Sequence, residues 1–206
     1  MTQFTSADRQ VPFFTDNWSD LRQFRPMPEI DFKRLDSYRK GRIRSAMRAA
    51  DVAMCVLVSP ITLRYAVDYN QYPLFQSHIP VTYLFFPVEG PVTIHQGIGN
   101  ACSAESSRQG RPISFFEGGY ELPENARLFA DDVVAFLNEI GSTNRRVALE
   151  YVNPSLTQAL LQRGIEVIDA VDLVEGARVI KSDDEVACIR WACAVAEHGI
   201  ARMQAS

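Results

Sequence analysis

Between residues 31 and 50 the apolar side chains Leu35, Tyr38, Ile43, Ala46, Met47 and Ala50 fall on one face of a helical projection, and Asp31 stands where an N-cap belongs. The spacing predicts a first helix over 31–50. Residues 53–58 are apolar without interruption and the run ends at Ser59-Pro60, the mark of a short strand covered on both faces. Runs rich in β-branched and aromatic residues at 81–86 and 92–95, separated by a Pro87 to Pro91 turn, predict a hairpin. A strand is expected at 113–117, stopped by Gly118-Gly119. Phe129, Val133, Phe136, Leu137 and Ile140 then recur as on a helix that closes at Gly141. A strand at 147–149, a helix from Pro154 to about Gly164, and a strand at 166–168 complete the series. Strands alternating with helices, plus one hairpin, predict an α/β fold with a mixed β-sheet flanked by helices on both faces.

Both ends behave differently. Residues 1–30 hold Phe4, Phe13, Phe14, Trp18 and Phe24 among three prolines with no period, so they read as an irregular arm. Ser182 to Glu185 has the form of a capping box, and it opens a helix with a seam at Val186, Ile189, Cys193, Ala196, Ile200 and Met203. That seam calls for a partner surface, and the sequence reaches Ser206 with no closing signal. Three parts are therefore expected: the arm 1–30, a domain over 31–180, and a linker with the first helix of a missing domain over 181–206.

The 206 residues suit one domain with an appendage, and 47% hydrophobic against 22% charged residues excludes a disordered chain. No apolar run suits a membrane span or a signal peptide, so a cytoplasmic protein without a membrane partner is expected. The net charge of −4 argues against nucleic acid. Helix one disagrees locally: Lys33, Arg34, Arg39, Lys40, Arg42, Arg44 and Arg48 face Asp36 alone. A solvated face paired with acidic neighbours is the simpler reading, since the remainder of the chain is then at −10.

Chemistry-bearing motifs are few. Gly97-Ile98-Gly99 is not completed into a phosphate loop, because Cys102 stands at the third glycine position. His78, His95 and His198 lie in separate segments, with no metal-ligand spacing. There is no nucleophile elbow, and Cys55 lies in the expected buried strand, where a thiol is inert. The segment 64–78 stands out. It places Arg64, Tyr65, Tyr69, Tyr72, Phe75 and His78 between two strands with little periodicity. Aromatic walls with polar donors suit a small polar or cationic ligand; a satellite core beneath a loop would look the same.

Two segments together resemble a known family. The run from Met47 through Ser59-Pro60-Ile61-Thr62-Leu63-Arg64-Tyr65 is similar to the helix, strand and Ser-Pro-x-Asn-x-Arg-Tyr turn that open the creatinase/prolidase N-terminal domain, with Thr62 where Asn is frequent. The stretch Arg178-Val179-Ile180-Lys181-Ser182-Asp183-Asp184-Glu185 resembles the family's junction with its pita-bread catalytic domain. Within the family, Leu74, Phe75 and His78 resemble the matching loop of dimethylsulfoniopropionate lyases.

The resemblance implies a ribonuclease-H-like domain without catalytic residues of its own, which dimerises and covers the active site of its partner subunit. It implies a metal-dependent parent of the Xaa-Pro aminopeptidase, prolidase or creatinase kind, acting on a peptide or small molecule through two divalent ions (Mn, Co, Zn or Fe) in the missing C-terminal domain. No metal or cofactor is expected in residues 1–206, and Arg64, Tyr65, Tyr69, Tyr72, Phe75 and His78 would shape the substrate site. A free-standing ligand-binding or dimerisation module is the alternative.

Overall fold

The computed structural model describes residues 28–70, 82–96, 102–113, 118–150 and 153–205. Its elements are α1 (Phe32–Ala49), β1 (Met54–Leu57), α2 (Pro60–Val67), β2 (Tyr83–Pro87), β3 (Thr93–Gln96), β4 (Ser106–Gln109), α3 (Leu122–Glu139), β5 (Arg146–Leu149), α4 (Pro154–Leu161), β6 (Glu166–Asp169), α5 (Val171–Val179) and α6 (Asp183–Ala205). The chain divides into a large unit, Asp36–Ile180, and a small one in which the described residues before 36 join those after 180.

In the large unit the strands form one mixed sheet in the order β4-β3-β2-β1-β5-β6. β2 and β3 pair antiparallel as the expected hairpin, and β1, the strand expected at 53–58, pairs antiparallel with β2 and parallel with β5. Strand residues alternate between two cores, because successive side chains leave opposite faces of a pleated sheet. Cys55, Leu57, Leu84, Phe86 and Ala148 meet α1, α2 and α5 on one face. Met54, Val56, Tyr83, Phe85, Val147 and Leu149 meet α3 and α4 on the other. The expected α/β architecture, a mixed sheet with helices on both faces, is the one observed.

Local chemistry explains the ends of the helices. The Asp31 carboxylate accepts from the N–H groups of Lys33 and Arg34, 3.1 and 3.0 Å away. Gly141 takes the left-handed conformation (φ 68°) just beyond α3, as a helix-ending glycine does. Asn153 caps α4 through Ser155 N–H at 2.9 Å. In the small unit the capping box forms reciprocally: Ser182 N–H donates to Glu185 Oε2 at 2.9 Å, and Glu185 N–H donates to Ser182 Oγ at 3.2 Å. The Arg34 guanidinium forks onto Asp184 at 2.9 and 2.7 Å. This hydrogen bond and the opposite charge hold the Asp184 carboxyl below its ordinary range.

Of the strand expected at 113–117 only Ile113 is described, buried in the second core; residues 114–117 lie outside the described residues. Three elements stand where none was expected. One is β4, polar and largely exposed, whose Ser106 hydroxyl bonds Thr93 Oγ1 at 2.6 Å. The others are two short helices, α2 and α5; Arg64 and Tyr65 therefore belong to a helix rather than an irregular loop. The basic face of α1 is paired with acidic neighbours, as expected. The Lys40 side chain is 9% exposed and its ammonium lies 3.2 Å from Asp36 and 3.0 Å from Glu105, while Arg48 pairs with Glu89 at 2.6 Å. Arg42 and Arg44 donate to the carbonyls of Ala177 and Gly90.

Candidate functional site

β1 and β5 lie side by side and parallel, but the helices that follow them leave for opposite faces: α2 joins the first core and α4 the second. In an open α/β sheet such a point of divergence opens a crevice beyond the carboxyl ends of the strands, where ligands usually bind. Here the chain places one of its own side chains at that point. Glu150 directly follows β5, and its carboxylate accepts from Val58 N–H at 2.8 Å, Ser59 N–H at 2.7 Å and the Thr62 hydroxyl at 2.5 Å.

The local sequence accounts for this arrangement. Pro60 is the first helical residue of α2, where its missing N–H is no loss, and Ser59 is the N-cap with no side-chain capping bond of its own. In a capping box, a Glu three residues past the cap reaches back to the cap N–H. That position is Thr62, too short for the task, and Glu150 performs it from the neighbouring strand. Thr62, 1% exposed, donates its hydroxyl to Glu150 in turn.

The sequence-selected residues separate along α2 and just beyond it. Arg64 is exposed and pairs with Asp68 at 3.0 Å. Tyr65 and Tyr69 are buried in the first core; the Tyr65 hydroxyl donates to the Ala177 carbonyl at 3.2 Å and its ring lies beneath the Arg39 guanidinium at 5.2 Å. Asp68 ends α2 in the left-handed conformation (φ 51°). Tyr72, Phe75 and His78 lie outside the described residues. For the described half of the segment, the aromatic area is core packing.

Two buried polar features were not singled out by sequence reasoning. Lys40 donates to the Ser103 carbonyl at 2.7 Å, Ser103 Oγ donates to Asp36 at 2.5 Å, and Ser103 N–H bonds the carbonyl of Val67 at the end of α2. Glu105 accepts from Val92 N–H at 2.7 Å, so one network joins α1, α2 and the approach to β3. His95 of β3 is 3% exposed, stacked on Tyr83 with ring centroids 4.8 Å apart and tilted against Phe85 at 4.3 Å; its Nδ1 has no hydrogen-bond partner. Burial, and next the nearby Arg108, pull the imidazole down to about 4. Neither feature has a sequence signature, since both partnerships join residues distant in the chain. Burial pushes the Cys55 thiol up to about 12, in keeping with an inert core thiol. Among the described residues no group of three or more His, Cys, Asp or Glu side chains is placed to hold a metal ion, and no helix is long and apolar enough to cross a membrane.

The mixed sheet and its two helical layers form an α/β fold also seen in a prolidase: the structure superposes on the crystal structure of the Thermococcus sibiricus prolidase with a TM-score of 0.55 at 16% identity, over 87% of this chain and 45% of that one. The relatives by sequence lie in the same family. Dimethylsulfoniopropionate lyase DddP of Roseovarius nubinhibens is 25% identical over 180 residues, which is 84% of this chain and 40% of the lyase. The DddP of Roseobacter denitrificans is 24% identical over the same shares. No protein-family model matches the chain. The resemblance to the creatinase/prolidase family thus holds in sequence and in fold, and the chain spans about 40% of the length of the curated relatives it matches.

Proposed function

We propose that residues 31–180 are the non-catalytic N-terminal domain of a creatinase/prolidase-type enzyme, with 181–206 leading toward its catalytic domain. The domain serves dimerisation and covers the active site of the partner subunit, and the segment 64–78 is its contribution there. The observation that carries this reading is the share of the match: 84% of this chain aligns, yet it accounts for only 40% of the lyases. The remaining length of such an enzyme is where the bond-breaking groups and any pair of divalent ions belong. No metal-dependent step is assigned to the described side chains, whose donor sets do not converge.

One observation favours a particular parent over a peptidase: both curated relatives are dimethylsulfoniopropionate lyases. An onium substrate suits aromatic walls, because a ring face attracts a cation held within about 6 Å of its centre. In this second reading Phe75 and His78 would contribute to such a wall.

The first test is turnover. Purified 1–206 is expected to leave Xaa-Pro dipeptides, creatine and dimethylsulfoniopropionate unchanged, with or without Mn, Co, Zn or Fe; product above blank overturns the non-catalytic reading. In the enzyme that carries the domain, Phe75→Ala is expected to lower kcat/KM for its substrate at least about tenfold, the equivalent of about 1.4 kcal/mol. Unchanged kinetics would return the segment to packing.

A further inference from the structure

We propose that α6 pairs antiparallel with α6 of a second copy of this chain, along the seam Val186, Ile189, Cys193, Ala196, Ile200 and Met203. The two sides of this helix differ. Ala194 is 4% exposed, and Ala187, Cys188, Trp191, Val195 and His198, which share its side at helical spacing, are half-buried. The seam lies on the opposite side and is open to water: Ile189 is 49% and Ile200 51% exposed, and Cys193 and Ala196 between them are exposed as well. Apolar residues recurring at three and four along the open side of a long helix form the contact stripe of a coiled coil, and covering them removes apolar area from water.

The seam is complementary to itself. Its steps of 3, 4, 3, 4 and 3 residues read the same in both directions. An antiparallel copy therefore sets Val186 opposite the partner's Met203, Ile189 opposite the partner's Ile200 and Cys193 opposite the partner's Ala196, and the twofold axis repeats each layer. The small central residues let the helix axes approach closely. Charge selects the same direction. Arg190 and Glu197 are exposed on one flank of the seam, and among the described residues neither is in an ion pair. Seven residues apart, they are too distant to pair along one helix. In antiparallel copies the two like flanks meet, so Arg190 faces the partner's Glu197 and the symmetry makes the contact twice. Parallel copies would set that flank against the small Ala192 and Gly199 side. They would also bring the two acidic first turns, Asp183, Asp184 and Glu185, together with the helix dipoles aligned. This inference rests on α6 alone and goes beyond the choice of parent reaction.

Sedimentation equilibrium of the purified 1–206 chain tests it. A single helix pair covers less area than a standard interface, so a monomer–dimer equilibrium with a micromolar Kd is expected. Ile200→Asp interrupts two symmetry-related layers and is expected to raise Kd at least about a hundredfold while the far-UV circular dichroism stays that of the wild type. Arg190→Glu and Glu197→Arg each set like charges across the flank and are expected to weaken association about fivefold. Mixed together, the two single variants place opposite charges across both contacts, and the mixture is expected to associate as tightly as the wild type. Both positions are exposed, so these variants keep the test open should Ile200→Asp fail to fold. A chain that stays monomeric at millimolar concentration leaves the seam to another occupant and overturns the proposal. An association unchanged by Ile200→Asp, or a mixture no tighter than its components, overturns it equally. None of these outcomes bears on turnover, so this inference and the non-catalytic reading fail separately.

Discussion

Single residues in this domain do their work by satisfying buried groups, and His95 is among those left partly unsatisfied. Its ring is packed against Tyr83 and Phe85, with Nδ1 unpartnered. The folded-state value of about 4 lies below the ordinary 6.5, so between those values the unfolded chain binds a proton that the folded chain refuses. Stability from this residue is therefore complete above pH 6.5 and falls as the pH drops toward 4, by about 3 kcal/mol at pH 4. Replacing His95 by Phe keeps an aromatic ring in the stack and removes the titration. The variant is expected to lose less stability than the wild type between pH 7 and pH 4.5, measured by urea unfolding at each pH; parallel pH curves would contradict this. Tyr65, selected from the sequence as substrate-shaping, has its polar group satisfied: its hydroxyl is bonded to Ala177 and its ring is under Arg39.

At the scale of elements, what periodicity could show was set by burial. α1 and α3 present long apolar stripes to the cores, and both were legible, as was β1, apolar on both faces. β4 is an edge strand of Ser, Ser, Arg and Gln, and its pairing with β3 rests on backbone bonds that leave no apolar alternation to read. α2 and α5 span only eight and nine residues, too short for a helical stripe to stand out from a loop. Charge on α1 was visible, its destination was not. Lys40 carries the clearest consequence: Lys40→Ala would leave Asp36 and Glu105 without their common cation and the Ser103 carbonyl without its donor. Both carboxylates are partly exposed, so water recovers some of the loss. A cost of about 2 kcal/mol is expected in the urea midpoint, against 3–5 for a fully buried pair.

For the whole molecule, the charge distribution decides between two large-scale readings of the basic helix. Arg34, Lys40, Arg42, Arg44 and Arg48 all have partners within the chain, and Arg39 lies over the Tyr65 ring. A nucleic-acid face would need these cations free to displace counterions from phosphates. With them engaged and the net charge at −4, fluorescence anisotropy is expected to show no binding of labelled duplex DNA or RNA at 50 mM salt. Binding that weakens steeply with added salt would reverse this conclusion.

The sequence by itself determined the α/β class, the central strand, the hairpin, the two long helices and the capping box at Ser182, because each is written in contiguous residues as a periodicity, a turn composition or a cap. It also carried the family resemblance, through motifs at the Ser59 turn and the Arg178 junction. Only the tertiary structure decided that Glu150 accepts from Thr62, 88 residues away, that Lys40 joins Ser103 and Glu105, and that Tyr65 and Tyr69 are buried in the core. Those facts depend on which strands become neighbours, and a buried carboxylate or ammonium has no local pattern until the sheet supplies its partner.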